Sequence, residues 1–273
     1  METGLTPIKL EKAQFEKISR LVYRLTGINL HPGKYELVKA RLLKRLRALG
    51  LEDFDVYMEY LENNRSNGEL MSMIEAMTTN KTSFFRELHH FDYLRRQIIP
   101  AVKNRRIRIW SAGCSSGEEP YSIAIALSEA VPNLIFWDLG ILATDLSNRM
   151  LALARKGVYD TKSLQDVPPL LMSKYLKCIE INPVRRYQVV QEVRRLVHFA
   201  RLNLMGEWPM RGTFDVIFCR NVMIYFDEST RERLVNRFWK LLRPGGHLFV
   251  GHSESLAGSQ HKFCYAEPAI YKK

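Results

Sequence analysis

The chain has 273 residues, 46% of them apolar and 26% charged, enough for one large domain and a smaller one. That balance excludes a disordered, collagen-like or disulfide-scaffold protein. Forty-one lysines and arginines against 29 aspartates and glutamates give a formal charge of +12, so an anionic partner is expected.

From Thr6 to about Met77 apolar residues recur at three- and four-residue steps, predicting a small all-α unit with turn signals at Thr26-Gly27 and across 63–68. From Arg106 the texture becomes short β-rich runs alternating with helices: Ile107–Trp110, Asp138–Thr144, Phe214–Cys219 and His247–Gly251. That alternation predicts an α/β domain with a parallel sheet wrapped by helices. Between Tyr175 and Leu202, the run Lys177–Ile181, a turn signal at Asn182-Pro183 and a β-prone stretch from Tyr187 to Phe199 predict two or three antiparallel strands inserted into it. The expected division is 1–77, a linker 78–90, and 91–273 with a β-subdomain at about 175–200. The first twenty residues interleave Glu2, Lys9, Glu11, Lys12, Glu16 and Lys17 with short apolar steps, leaving no export signal. No run of ~18 apolar residues is present to enter a membrane. Cys114, Cys178, Cys219 and Cys264 form no CxxC or Cys/His pattern and read as reduced cytosolic thiols.

Trp110-Ser111-Ala112-Gly113-Cys114-Ser115-Ser116-Gly117-Glu118-Glu119-Pro120-Tyr121 follows a predicted strand and opens a predicted helix. Its small residues let backbone approach a ligand, and Pro120 suits a first helical turn. An ordinary strand-to-helix turn has the same composition, and the G-x-G-x-x-G dinucleotide fingerprint is absent. The next strand ends at Asp145, where nucleotide-binding α/β sheets hold ribose hydroxyls. Glu118 and Glu119 would repel a pyrophosphate and suit a cationic ligand, although acids at a helix N-terminus also complement its dipole. S-adenosylmethionine has the matching chemistry: a sulfonium, an α-amino group and two ribose hydroxyls, without phosphate.

Thr78-Thr79-Asn80-Lys81-Thr82-Ser83-Phe84-Phe85-Arg86-Glu87, the Gly113–Tyr121 loop, Phe218-Cys219-Arg220-Asn221-Val222-Met223-Ile224-Tyr225-Phe226, and Leu242-Arg243-Pro244-Gly245-Gly246 through Gly251-His252-Ser253-Glu254 together resemble the CheR family of chemotaxis receptor methyltransferases, in one order over nearly the whole chain. The resemblance implies a Rossmann-like S-adenosylmethionine-dependent methyltransferase domain, with a small antiparallel insertion, behind an all-α N-terminal receptor-recognition domain. It implies a cytoplasmic bacterial enzyme that methylates glutamates on the helical bundle of transmembrane chemoreceptors and releases S-adenosylhomocysteine. It also implies a monomer, and neither nucleic acid as partner nor a metal. By motif position, Asn80, Thr82, Arg86, Gly113, one of Glu118 and Glu119, Asp145, Asn203, Leu204, Arg220 and Asn221 would form the cofactor pocket. Arg86 and Tyr225 would orient the incoming carboxylate. Glutamate is already ionised near neutral pH, so orientation rather than a strong base is the catalytic task.

His31–Gly50 holds six cations against one acid, Glu36. On a helix Tyr35, Val38, Leu42, Leu46 and Leu49 form an apolar stripe flanked by Lys34, Arg41, Lys44 and Arg45, the expected docking residues for an acidic receptor bundle. From composition alone a solvated basic face is the commoner explanation of such a run, and the family resemblance is what favours docking. The turn Ile181–Arg186 has no glycine, unlike family members whose insertion resembles a platform for a receptor's C-terminal peptide, so direct receptor binding is expected. His89, His90 and His252 have no acidic or cysteine partner at ligand spacing and read as structural. A nucleic-acid methyltransferase and a non-catalytic S-adenosylmethionine-binding adaptor are the competing readings.

Overall fold

The computed structural model describes residues 8–63, 68–131, 133–181 and 184–273. The turn signals at 64–67 and 182–183, and the first seven residues, lie outside the described residues. By contact density the chain forms two units, one of residues up to Thr79 together with Tyr225–Asp227, the other of Asn80–Ile224 and Glu228–Lys273.

The first unit is helical: α1 (Lys12–Thr26), α2 (Tyr35–Leu49), α3 (Phe54–Asn63) and α4 (Glu69–Met77). Gly27 and Gly50 end α1 and α2 in the left-handed conformation (φ 74° and 67°), where a Cβ is costly. The predicted stripe of α2 is buried at Val38, Leu42 and Leu46 against Phe15, Ile18, Val22, Tyr57 and Met73. Tyr225 and Phe226 pack on this core, and Phe226 bridges to Ile28.

The second unit runs α5 (Leu88–Tyr93), β1 (Arg106–Ala112), α6 (Glu118–Ala130), β2 (Asp138–Asp145), α7 (Asn148–Lys156), β3 (Val158–Asp160), α8 (Pro169–Tyr175), β4 (Leu176–Glu180), β5 (Arg186–Val189), α9 (Gln191–Arg194), β6 (Val197–Arg201), β7 (Phe214–Cys219), α10 (Glu228–Leu241), β8 (Leu242–Val250), β9 (Cys264–Glu267) and β10 (Ile270–Lys272). Seven strands order as β6-β2-β1-β7-β8-β10-β9, the first five mutually parallel, β10 antiparallel to β8 and β9 antiparallel to β10. The chain leaves β1 toward β2 on one side and later fills β7 on the other. That reversal opens a crevice beyond the carboxyl ends of β1 and β7, the general ligand position in such sheets.

The β-prone stretch Tyr187–Phe199 divides. Its first part is β5, central in a three-stranded antiparallel sheet β3-β5-β4; its last part begins β6, which pairs with β2 in the main sheet. A turn of helix, α9, separates them, and β-propensity does not reveal which sheet a strand joins. The core gathers Ile107, Ile109, Ile123, Leu127, Phe218 and Phe249, all fully buried. Fully buried Trp110 packs edge-on to Trp208 and Phe238 and donates from Nε1 to Thr144 Oγ1 (2.9 Å), satisfying its one polar atom. Among the described residues no helix is long and apolar enough to cross a membrane, and all four cysteines are free, Cys114 and Cys219 buried.

His247 on β8 is buried with Nε2 3.3 Å from the Tyr93 hydroxyl; burial, with Lys272 and Arg243 adding to it, lowers its pKa to about 4. Burial and Arg220 lower that of His90 to about 2. Unfolded, both titrate near ~6.5, so the unfolded chain takes up protons that the native one refuses and stability falls as pH drops from there towards 4. The melting temperature should therefore decline over that interval, and less steeply in His247→Gln, whose amide can still bond Tyr93 but does not titrate.

Candidate active site

The loop after β1 turns on two glycines. Gly113 sits at φ 92°, and a Cβ there would lie 2.4 Å from Val222 Cγ2. Gly117 sits at φ 99°, where a Cβ would meet Ala154 and the Tyr159 hydroxyl at 2.9 Å. Both positions require glycine by conformation and by space. Gly113 and Cys114 donate their N–H groups to the Thr144 carbonyl (2.8 and 2.9 Å), binding the ends of β1 and β2 together.

Asp145 stands at the end of β2 as predicted. Its Oδ2 accepts from the N–H of Ser115 (2.8 Å) and its Oδ1 from the N–H of Ser147 (2.9 Å), so the carboxylate is fixed by backbone from both flanking loops. Leu202 N–H donates to the Asp145 carbonyl (3.0 Å), bringing the Asn203–Leu204 loop alongside. There Asn203 Oδ1 accepts from Met205 N–H, and Arg237, stacked 3.7 Å over Trp208, braces the Leu204 and Gly206 carbonyls (both 2.6 Å). Asn80 accepts from Ser115 Oγ through its carbonyl (2.9 Å), and Thr82 is half-buried on the same segment.

The two glutamates that the sequence left equivalent differ sharply here. Glu119 accepts from Ser111 Oγ at Oε1 (2.7 Å) and from Arg220 Nε at Oε2 (2.7 Å); both oxygens are spent on protein. Glu118 accepts from Ser116 Oγ, at Oε2 (2.7 Å), and from its own backbone N–H, with no basic side chain paired to it among the described residues, and burial pushes its pKa up. A buried carboxylate with spare acceptor capacity is poised for a cationic or hydroxylic ligand.

Arg220 is itself buried. Besides Glu119 its guanidinium meets the Arg86 carbonyl (2.5 Å), Glu87 Oε2 (3.3 Å) and His90 Nδ1 (3.1 Å) from Nη1, under the rings of Phe91 and Phe218. Arg86 lies between Phe85 and Glu87, both left-handed (φ 51° and 59°), a conformation costing about 1–3 kcal/mol per residue. What holds it is legible: Phe85 N–H donates to Ser122 Oγ (2.9 Å), the Arg86 carbonyl is held by Arg220, and Glu87 Oε1 accepts from His252 N–H (3.1 Å). The Arg86 side chain is half-exposed and, among the described residues, donates to the Lys81 carbonyl alone (3.2 Å). Asn221, left-handed at φ 59°, is fixed by buried Glu254, whose Oε2 accepts from the N–H groups of Asn221 and Gly251 (2.7 Å each). Glu87, Ser122 and Glu254 were given no role from sequence. Glu87 and Glu254 sit inside the recognised motifs, but their partners are 133 and 33 residues away, and Ser122 carries no sequence signal.

Tyr225 groups with the helical unit: its hydroxyl donates to the Thr79 carbonyl (3.1 Å), and Lys34 Nζ lies 5.8 Å above its ring. Arg41 donates to the Met77 carbonyl and to Thr79 Oγ1 (2.7 Å each), closing the end of α4. Arg45 is committed inward, with two N–H groups on Glu69 (2.5 and 3.0 Å) beside the Tyr57 hydroxyl (2.8 Å from Glu69). Lys44 is exposed and makes no ion pair among the described residues. The four residues that one helix face made equivalent thus divide into a packed cation (Arg45), a helix-closing cation (Arg41), a half-buried lysine over the Tyr225 ring (Lys34) and one exposed lysine (Lys44).

A doubly wound sheet with an acid at the end of β2 and two more opening the helix after β1, and a first loop built for close approach rather than for phosphate, fits an S-adenosylmethionine-dependent methyltransferase. Residues 80–271 match the family described as CheR methyltransferase, SAM binding domain, and residues 13–78 the CheR methyltransferase all-alpha domain. The chain belongs to the CheR methyltransferase family. It is 44% identical over 249 residues to a probable chemotaxis protein methyltransferase of Rhizobium etli (89% of this chain, 93% of the relative). It is 41% identical over 275 residues to a chemotaxis protein methyltransferase of Borreliella burgdorferi (97% and 96%) and 39% over 270 to that of Escherichia coli (97% and 92%).

Removing the cation from the Arg45–Glu69 pair leaves a carboxylate that is 5% exposed without its partner. Arg45→Ala should cost about 3 kcal/mol of helical-unit stability, read by urea denaturation, whereas Lys44→Glu should stay within about 0.5 kcal/mol.

Proposed function

We propose that this protein transfers the methyl group of S-adenosylmethionine to glutamate side chains on the cytoplasmic helical bundle of chemoreceptors, giving glutamyl methyl esters. The observation that carries the reading is Arg86, a half-exposed guanidinium on a backbone turn pinned by buried Ser122 and Arg220 and by the His252 N–H. The family assignment supports the reaction class, and the donor set fits the cofactor: carboxylates for an ammonium and for ribose hydroxyls, with no phosphate cradle.

In this reading Glu118 pairs the cofactor's α-ammonium, Asp145 faces the ribose hydroxyls, and Gly113 lets the loop backbone close on the ligand. Asn80, Thr82, Asn203, Leu204 and Asn221 line the remainder. Glu119 and Arg220, expected as ligand contacts, serve by holding the Arg86 turn instead. The bound cofactor supplies a methyl group on an electron-poor sulfonium. Arg86 holds one oxygen of the incoming carboxylate, leaving the other to attack. Tyr225, a neutral donor, fixes its orientation without drawing off charge. No general base is required, because the acceptor arrives ionised. Lys34 and Lys44 add long-range attraction to an acidic bundle, an effect that weakens with salt.

Isothermal titration separates the two acids. Glu118→Gln should weaken S-adenosylhomocysteine at least about tenfold yet leave 5′-methylthioadenosine, which lacks the ammonium, unchanged. In the wild type, affinity should fall as pH drops, starting above the usual carboxylate range because Glu118 is protonated early; the variant should lose that dependence. Equal loss for both ligands would refute the pairing.

Arg86→Ala should abolish base-labile methyl esters on receptor membranes while leaving the melting temperature within a few degrees. Near-normal methylation would exclude the role, and label appearing on RNA rather than on receptors would favour the nucleic-acid reading.

A further inference from the structure

A cleft of about 750 Å³ opens among β4, β5, α9 and the edge strand β6, and of its lining residues one, Tyr121, belongs to the Gly113–Tyr121 motif, at its far end. Its walls carry Arg155, Lys177, Arg194, Arg195 and His198 against one acid, Glu192. Among the described residues none of these four permanent cations forms an ion pair. Basic side chains elsewhere on the same unit do find acids: Arg106 and Arg108 share Asp138, and Arg186 reaches Glu180.

Two of the guanidinia are braced. Arg155 donates from Nη2 to the Phe199 carbonyl and Arg194 from Nη2 to the Arg155 carbonyl, both at 3.0 Å. Each bond uses one N–H donor and restricts the fork; Arg194 also bonds the Tyr121 hydroxyl, and the remaining N–H groups are left for a ligand at reduced entropic cost. Val189, Val190, Val197 and Phe199 supply apolar wall between the charges. Like charges gathered in a concavity repel one another and focus the field there, so a counter-charge gains more than on a flat surface. The volume lies within the ~300–1,000 Å³ of small-molecule sites, and guanidinium forks match phosphate oxygens two at a time.

We propose that this cleft binds an organic polyphosphate of nucleotide size, its phosphates on Arg155, Arg194, Arg195 and Lys177 and its flat organic body against Phe199 and the valines. A ligand there touches both the small sheet and β6 of the main sheet, so its binding ties the insertion to the catalytic unit. The inference does not depend on the methyl acceptor, and its readout is binding rather than methyl transfer.

The test uses the full chain, titrated calorimetrically with magnesium-free ATP and with inorganic pyrophosphate at low and high sodium chloride. One ATP should bind per chain, pyrophosphate should compete with it, and both should weaken as salt rises. Arg194→Ala/Arg195→Ala should lower ATP affinity by about tenfold or more, with the melting temperature and S-adenosylhomocysteine affinity unchanged; Arg155→Ala provides a second variant should the pair perturb α9. The proposal is overturned by absence of saturable binding, by displacement of ATP with S-adenosylhomocysteine, or by variants that bind ATP like the wild type. A deca-glutamate peptide that binds more tightly than ATP would overturn it in favour of a protein interface.

Discussion

The buried ion pair between Arg220 and Glu119 is the interaction on which the catalytic end of the sheet depends. Its two members lie 101 residues apart, one just past β7 and the other in the first turn of α6. Desolvating two charges is expensive, and a well-packed apolar pair of the same volume is often as stable. What the pair supplies is position. With Glu119 on one side and the Arg86 carbonyl, Glu87 and His90 on the other, the guanidinium fixes the Phe85–Glu87 turn to the crevice where the sheet reverses direction.

Two glutamates adjacent in sequence consequently have opposite duties. Glu119 neutralises the cation that organises the turn, while Glu118, raised in pKa by burial and sparing in its protein contacts, keeps capacity for a ligand. The same economy appears at Glu254, whose carboxylate is consumed by backbone N–H groups that stabilise the left-handed Asn221. Strain at Phe85, Glu87 and Asn221 is tolerated because Ser122 and Glu254 accept the N–H groups of Phe85 and Asn221 while buried Arg220 donates to the Glu87 carboxylate.

Positive charge on α2 follows a comparable division. Arg45 stabilises Glu69 and Tyr57 inside the helical unit, Arg41 closes α4, and Lys44 faces solvent. A charge-reversal experiment at Arg45 would thus report on folding, whereas one at exposed Lys44 isolates electrostatic attraction. On the catalytic unit four cations without an ion pair among the described residues converge on a concave surface instead, between the small sheet and β6.

The sequence by itself determined the two-part organisation, the alternation that makes a doubly wound sheet, and the acids and glycines at the strand ends, because these depend on local periodicity and short-range turn chemistry. Motif order carried the family, and with it Arg86 and Asp145. Only tertiary structure decided that Glu118 and Glu119 differ, that Arg45 turns inward, that β6 joins the main sheet rather than the insertion, and that Glu87 and Glu254 anchor the two strained turns. Each of those outcomes is set by a partner distant in the chain, and a carboxylate's or guanidinium's role depends on which partner desolvates or pairs it, information that no local pattern contains.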